Sequence, residues 1–230
     1  MEFIIIISIL SLLLIAIKFV YKINIKEIKN IGENNKELDK IIEGYPTNTE
    51  VCKKILKILN NENVKVQEDL NAGTSLYIAI TNKITIANLR NSFTRIQTIA
   101  HECLHSVQDR TILLFNFIYS NIYIICFYLT AILGIFKLIP NKLLFLNLQI
   151  ILGFIYYFIR SYLEDDAMIK AKYLAKKYME QENISTKEEI EKIINEYDKL
   201  YFIGIKATNY SILINAIIRV IILAIIFLIR

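Results

Sequence analysis

The sequence has no tryptophan, two prolines, six glycines and two histidines, and its three cysteines are an odd number spread far apart. So little Pro and Gly excludes a collagen-like repeat, and a hydrophobic share of 55% excludes a disordered chain. Cys52, Cys103 and Cys126 make no disulfide framework, and Cys126 falls inside an apolar run, so all three read as reduced packing residues. The net charge is only +5, and no basic run is interleaved with aromatics, which argues against a nucleic-acid groove. Aliphatic residues are what the chain has in excess. Mean hydropathy is +0.43, and the apolar content exceeds that of an ordinary soluble domain.

Four apolar runs stand out, at 3–20, 111–136, 143–159 and 211–229. At about 1.5 Å rise per residue each approaches or exceeds the ~30 Å hydrocarbon thickness of a bilayer. Lys137 to Lys142 is a short turn, so the second and third runs are expected to form a helical hairpin. The first run lacks a basic leader and a small-x-small cleavage site, and Lys18, Lys22, Lys26 and Lys29 follow it. It therefore reads as a retained anchor with its N-terminus outside.

Near the apolar runs, Lys18, Lys22, Lys26, Lys29, Arg95, Arg110, Arg160, Lys170, Lys172, Lys176, Lys177, Lys199 and Lys206 lie on one side, against Lys137, Lys142 and Arg230 on the other. That bias places the two large polar segments in the cytosol of a multi-pass cell-membrane protein. The expected organisation is an anchor at 1–20, a cytosolic segment at 21–110, a transmembrane hairpin at 111–159, cytosolic helices at 160–210 and a last membrane helix at 211–230.

Within the polar segments, Thr47-Asn48-Thr49-Glu50 has capping-box spacing before a helical pattern. Two or three short strands are expected around 64–66, 76–80 and 83–87, the last able to offer an edge to an extended peptide. Helical spacing returns at about 94–110. Two further helices are expected at 161–179 and from a second capping box, Ser185-Thr186-Lys187-Glu188, to about Tyr201.

The helix at 94–110 holds His101-Glu102-Cys103-Leu104-His105. Histidines four apart project from one helical face, so both can reach one Zn²⁺, and the Glu between them sits where it can take a proton from water. The chain's only two histidines and one of its sixteen Glu form this pattern, which chance gives in on the order of one such chain per thousand. Catalytic zinc usually takes a third protein ligand. With His exhausted, that ligand is a carboxylate or, as a poorer candidate pointing off the metal face, Cys103. The best carboxylates are in Glu164-Asp165-Asp166. His105 precedes the second apolar run and Glu164 follows the third, and two crossings return the chain to the same side. Gln108, Asp165 and Asp166 are candidates to orient a ligand imidazole. The oxyanion donor stays open among Tyr, Arg, Asn and backbone groups. In the fourth run Ser211, Asn215 and Arg219 share one face, and Arg219 either faces the bundle interior or snorkels.

The block from Thr49 to Leu56, Val64-Lys65-Val66, the strands, and Ile99 to Asp109 together resemble the bacterial neutral zinc metallopeptidases of the YugP type. Those proteins share an HExxHxxQ helix, a membrane hairpin and an E-F-D-A-S-x-x-A segment. Glu164-Asp165-Asp166-Ala167-Met168-Ile169-Lys170-Ala171 is similar to that segment, with Asp165 for Phe and Met168 for Ser. The family's polar stretch before the edge strand corresponds to 71–79, without its His or Asp. The resemblance covers about 47–175 and implies His101, His105 and Glu164 as zinc ligands and Glu102 as the general base. Membrane proteases of the HtpX and CAAX-processing type share the broader plan, but Gln108 and the upstream block favour the first family.

The expectation is thus a mainly α protein, a four-span membrane helix bundle carrying a small cytosolic α+β zincin-like metallopeptidase domain. It would hold one catalytic Zn²⁺, act on a peptide or protein substrate that could be membrane-associated, and contact membrane lipid but no nucleic acid. The alternative is a non-catalytic membrane protein with a structural zinc site, which would have no need of Glu102.

Overall fold

The computed structural model describes residues 1–22, 35–89 and 92–229. It is mainly helical, with a small three-stranded sheet. In chain order the described elements are α1 (Glu2–Tyr21), α2 (Lys36–Glu43), α3 (Asn48–Ile58), β1 (Lys65–Glu68), β2 (Leu76–Ile78), β3 (Lys83–Ile86), α4 (Arg95–His105), α5 (Arg110–Ile135), α6 (Lys142–Glu182) and α7 (Lys187–Ile229). The chain divides into two compact units. One gathers residues 1–23, 115–162 and 206–230, the other 24–114 and 163–205. Lys26 and Lys29, counted as flanks of the first run, lie outside the described residues, as does Arg230.

In the apolar unit, α1, α5 and parts of α6 and α7 pack through Phe127, Leu146, Leu223, Ala224 and Phe227. Helices α1, α5, α6 and α7 are each long and apolar enough to cross a membrane. The turn after α5 closes as a Schellman motif: Lys137 N–H donates to Gly134 O and Leu138 N–H to Leu133 O, with Lys137 at φ 59°. Gly134 cannot be replaced without movement there, because a Cβ would lie 2.8 Å from Phe227 Cε1.

The second unit is α+β. β3 is the central strand, parallel to β1 and antiparallel to β2, with Ile84 opposite both Val66 and Tyr77. Its residues alternate between partly exposed and buried, so Ile84 and Ile86 enter the core with Val51, Ile55, Ile96 and Ile99. On α6, Ala167, Ala171 and Ala175 recur every four residues and are almost wholly buried, giving a flat side for close packing.

Several expectations need correcting. The helices at 161–179 and 186–201 are not separate elements but continuous parts of α6 and α7. No proline interrupts either junction, and Gly204 stays helical where a Cβ would meet Met168 Cε at 2.7 Å. The second capping box is one residue later than its spacing suggested: Glu189 N–H donates to Thr186 Oγ1, and Thr186 N–H to Glu189 Oε2. The first box, Thr47 with Glu50, forms where expected. The helix expected at 94–110 ends at His105. Ser106 Oγ donates back to Cys103 O, and Asp109 Oδ1 accepts from the Thr111 and Ile112 N–H groups, capping α5. The strand at 83–87 offers no free edge, since both its sides are paired.

Arg95 pins this unit together. Its buried guanidinium donates to Ile42 O, Tyr45 O, Pro46 O and Asn48 Oδ1 at 2.8 to 3.0 Å. Arg95→Met should leave four acceptors without that donor and lower stability by roughly 2–4 kcal/mol, read from denaturant unfolding in detergent. Unchanged stability would mean that water replaces the guanidinium.

Candidate metal centre

Helix α4 carries His101 and His105 one turn apart, and their rings stand at 86° with centroids 4.6 Å apart. The two Nε2 atoms lie 3.1 Å apart. Glu164, near the start of the second unit's stretch of α6, brings Oε2 to 3.3 Å from His101 Nε2 and 3.7 Å from His105 Nε2. These three residues are a group that could hold a metal ion. The three distances define a triangle whose circumscribed circle has a radius of about 2.0 Å, close to the bond length of nitrogen and carboxylate ligands to a divalent transition metal. The three side chains are only 11 to 18% exposed, so the cluster is largely enclosed yet open at His101.

The hydrogen bonds around Gln108 fix which nitrogen of His105 carries its proton. Gln108 Nε2 donates to Leu163 O at 2.7 Å and to Asp166 Oδ2 at 3.1 Å. Its Oε1 is thereby turned to His105 Nδ1, 2.8 Å away, and an amide oxygen only accepts. His105 Nδ1 therefore holds the hydrogen. In the neutral ring its Nε2 presents a lone pair toward His101 and the Glu164 carboxylate. Lone pairs converging on a carboxylate are the donor set of a cation site. Gln108 reaches this position because α4 stops at His105 and leaves 106–109 as a turn. Asn61 Nδ2 holds that turn by donating to Ser106 O and Oγ.

Glu102 lies beside the cluster. It is 7% exposed, and burial pushes its carboxyl above the usual carboxylate range, a shift opposed by His101 and His105. The backbone N–H of Tyr77 also donates to it. Among the described residues β2 has one edge unpaired, so this contact sets that side of the sheet against the motif. A backbone contact of this kind leaves no mark in residue types, and sequence reasoning missed it.

Among the carboxylates at 164–166, Glu164 joins the histidines, and Asp166 acts on His105 through Gln108. Lys170 pairs with Asp166 at 2.5 Å. Cys103 takes no part in the cluster. It is wholly buried, with its Sγ 3.5 Å from that of Cys52, and both are free thiols.

No protein-family model, curated protein or solved structure matches this chain.

Glu164→Ala should abolish tight binding of Zn²⁺ or Co²⁺ in chelator competition. Gln108→Leu and Asp166→Ala should weaken it only about 10–100-fold, the range for groups that orient a ligand. Equal losses from Asp165→Ala and Glu164→Ala would show that the register of α6 is wrong.

Proposed function

We propose that this protein is a membrane-bound zinc metallopeptidase of the YugP type, with its site facing the cytosol. The observation that carries the reading is the convergence of His101 Nε2, His105 Nε2 and Glu164 Oε2, with Gln108 holding His105 in the ligand tautomer. Three protein ligands, two imidazoles and one carboxylate, are the set that leaves catalytic zinc a position for water. A zinc ion bound there would lower the pKa of a water from 15.7 toward about 7 and polarise a carbonyl.

The remaining work falls to the chain's own groups. Glu102 accepts a proton from water and returns it to the leaving amine, and its burial suits it to both transfers. Gln108 and Asp166 keep the His105 ring from turning. Tyr77 N–H aims the Glu102 carboxylate. In an antiparallel ladder the N–H and C=O of one residue point to the same side. The Tyr77 carbonyl is then on the free edge of β2, where an extended peptide can add as a further strand.

Two sequence features favour a substrate at the membrane surface. Five residues separate His105 from the second apolar run, and four separate the third run from Glu164. The thirteen-to-three distribution of Lys and Arg supports the cytosolic side. A structural zinc site is the competing reading, and a buried acid beside the ligands is what argues against it.

Glu102→Gln should keep about one zinc per chain yet lose peptide hydrolysis by at least ~10²-fold, measured on purified protein beside wild type. Unchanged turnover would remove Glu102 from the chemistry. For the orientation, single cysteines at 138–141 should react with an impermeant maleimide on intact cells, and those at 36–43 or 180–190 should not. The opposite pattern would put the site outside.

A further inference from the structure

Arg219 is the only charged residue in the second, third and fourth apolar runs, and no Asp or Glu lies in any of the four. It is eight residues past Ser211 and ten before Ile229, which puts it about 12 Å and 15 Å along the helix from the two ends of its run. Its guanidinium carbon sits 4.9 Å from the centre of the Tyr123 ring and 5.9 Å from that of Phe127. Cation–π contact steadies the charge but supplies no hydrogen-bond acceptor for the guanidinium edge.

A second donor is close by. Gln149 on α6 is 2% exposed, and its Nε2 is buried with no hydrogen-bond partner among the described residues. Gln149 and Arg219 both approach the Tyr123 hydroxyl. Gly153, one turn after Gln149, makes the room for that hydroxyl, since a Cβ there would lie 3.1 Å from it. The cluster is rich in N–H groups and, among the described residues, has no carboxylate.

On α7, Ile212, Ala216, Val220 and Leu223 are buried, while Ser211, Asn215, Ile218 and Ile222 are exposed. Arg219 lies on the border between these faces and is partly exposed. A helix laid on the exposed face would meet Ser211 and Asn215, which can hydrogen-bond across helices, and would reach the outer edge of the guanidinium.

We propose that Arg219, with Gln149 behind it, receives an acidic side chain near the middle of a partner's transmembrane helix, docked on the Ser211–Asn215–Ile222 face of α7. The proposal rests on the membrane-spanning reading and not on the peptidase reading. Charge complementarity chooses the occupant. A second copy of this chain has no carboxylate at that depth to offer. A lipid phosphate belongs at the interface, roughly 12 Å or more away along the helix. An unmatched arginine at the bilayer centre is unfavourable, and a carboxylate carried on an apolar helix answers it.

The test uses the full chain, donor-labelled, in phosphatidylcholine vesicles. Acceptor-labelled polyleucine helices of about 20 residues carry Glu, Gln or Leu at the centre. Energy transfer should show the Glu helix associating about tenfold more tightly than the Leu helix, with Gln between them. Arg219→Leu should remove that preference and Gln149→Leu should reduce it. Equal association of the Glu and Leu helices with the unaltered chain overturns the proposal, as does a Glu preference that survives Arg219→Leu. Loss of the preference when phosphatidylglycerol is added assigns the donors to a lipid phosphate and also overturns it. A chain that alkaline carbonate strips from the vesicles refutes the membrane reading along with it. Zinc content and hydrolysis do not enter, so failure here is separate from failure of the peptidase reading.

Discussion

Gln108 has one carbonyl and one amino group, and the site commits both. The amino group is held by Leu163 O and Asp166, which leaves the carbonyl for His105 Nδ1 and turns the opposite nitrogen of that ring inward. Had the amide been reversed, two donors would face each other at His105 and the ring would have to change tautomer or turn away. In the neutral ring the His105 Nε2 lone pair then faces His101 and the Glu164 carboxylate, with the three atoms within 3.7 Å of one another. Such a group could hold a metal ion.

The surrounding fold brings these pieces into reach. Ser106 and Asp109 break what would otherwise be one helix, which frees Gln108 to face α6 instead of following the axis of α4. Small residues at 167, 171 and 175 let α6 pack closely within the same unit, so that a short Glu side chain reaches the histidines. Arg95 supplies the rigid end of α4 by gathering carbonyls from 42–46. Buried polar networks of this kind restrict the arrangement to one geometry, which a site with tolerances near an ångström requires.

Several polar groups of the apolar unit are satisfied in a different manner. Ser120 and Asn121 donate to carbonyls one turn back on α5, and Tyr119 donates to Leu152 O. Self-satisfied helices with internally bonded side chains are what a medium without water demands. Arg219 departs from this pattern, because five N–H groups on one planar head exceed what nearby aromatic faces can absorb.

Local covalent order was enough to determine the helical spans, the capping box at Thr47 and the pairing of His101 with His105, because each depends on residues within a few positions of one another. Glu164 was legible too, through the even number of apolar runs between it and the motif, a constraint of connectivity, and through the resemblance of its segment to the family's, which singled it out from Asp165 and Asp166. The register of the second capping box, the break after His105 and the continuity of α6 and α7 were not legible. Each is a competition between local hydrogen bonds and helix propagation that differs by little free energy and is decided by packing. The central place of β3, the Tyr77 contact to Glu102 and the fork of Gln108 were decided by tertiary structure alone. The last two join residues 25 to 58 positions apart through backbone atoms or a side chain of ambiguous chemistry, and no pattern of residue types encodes which strand is flanked or which way an amide turns.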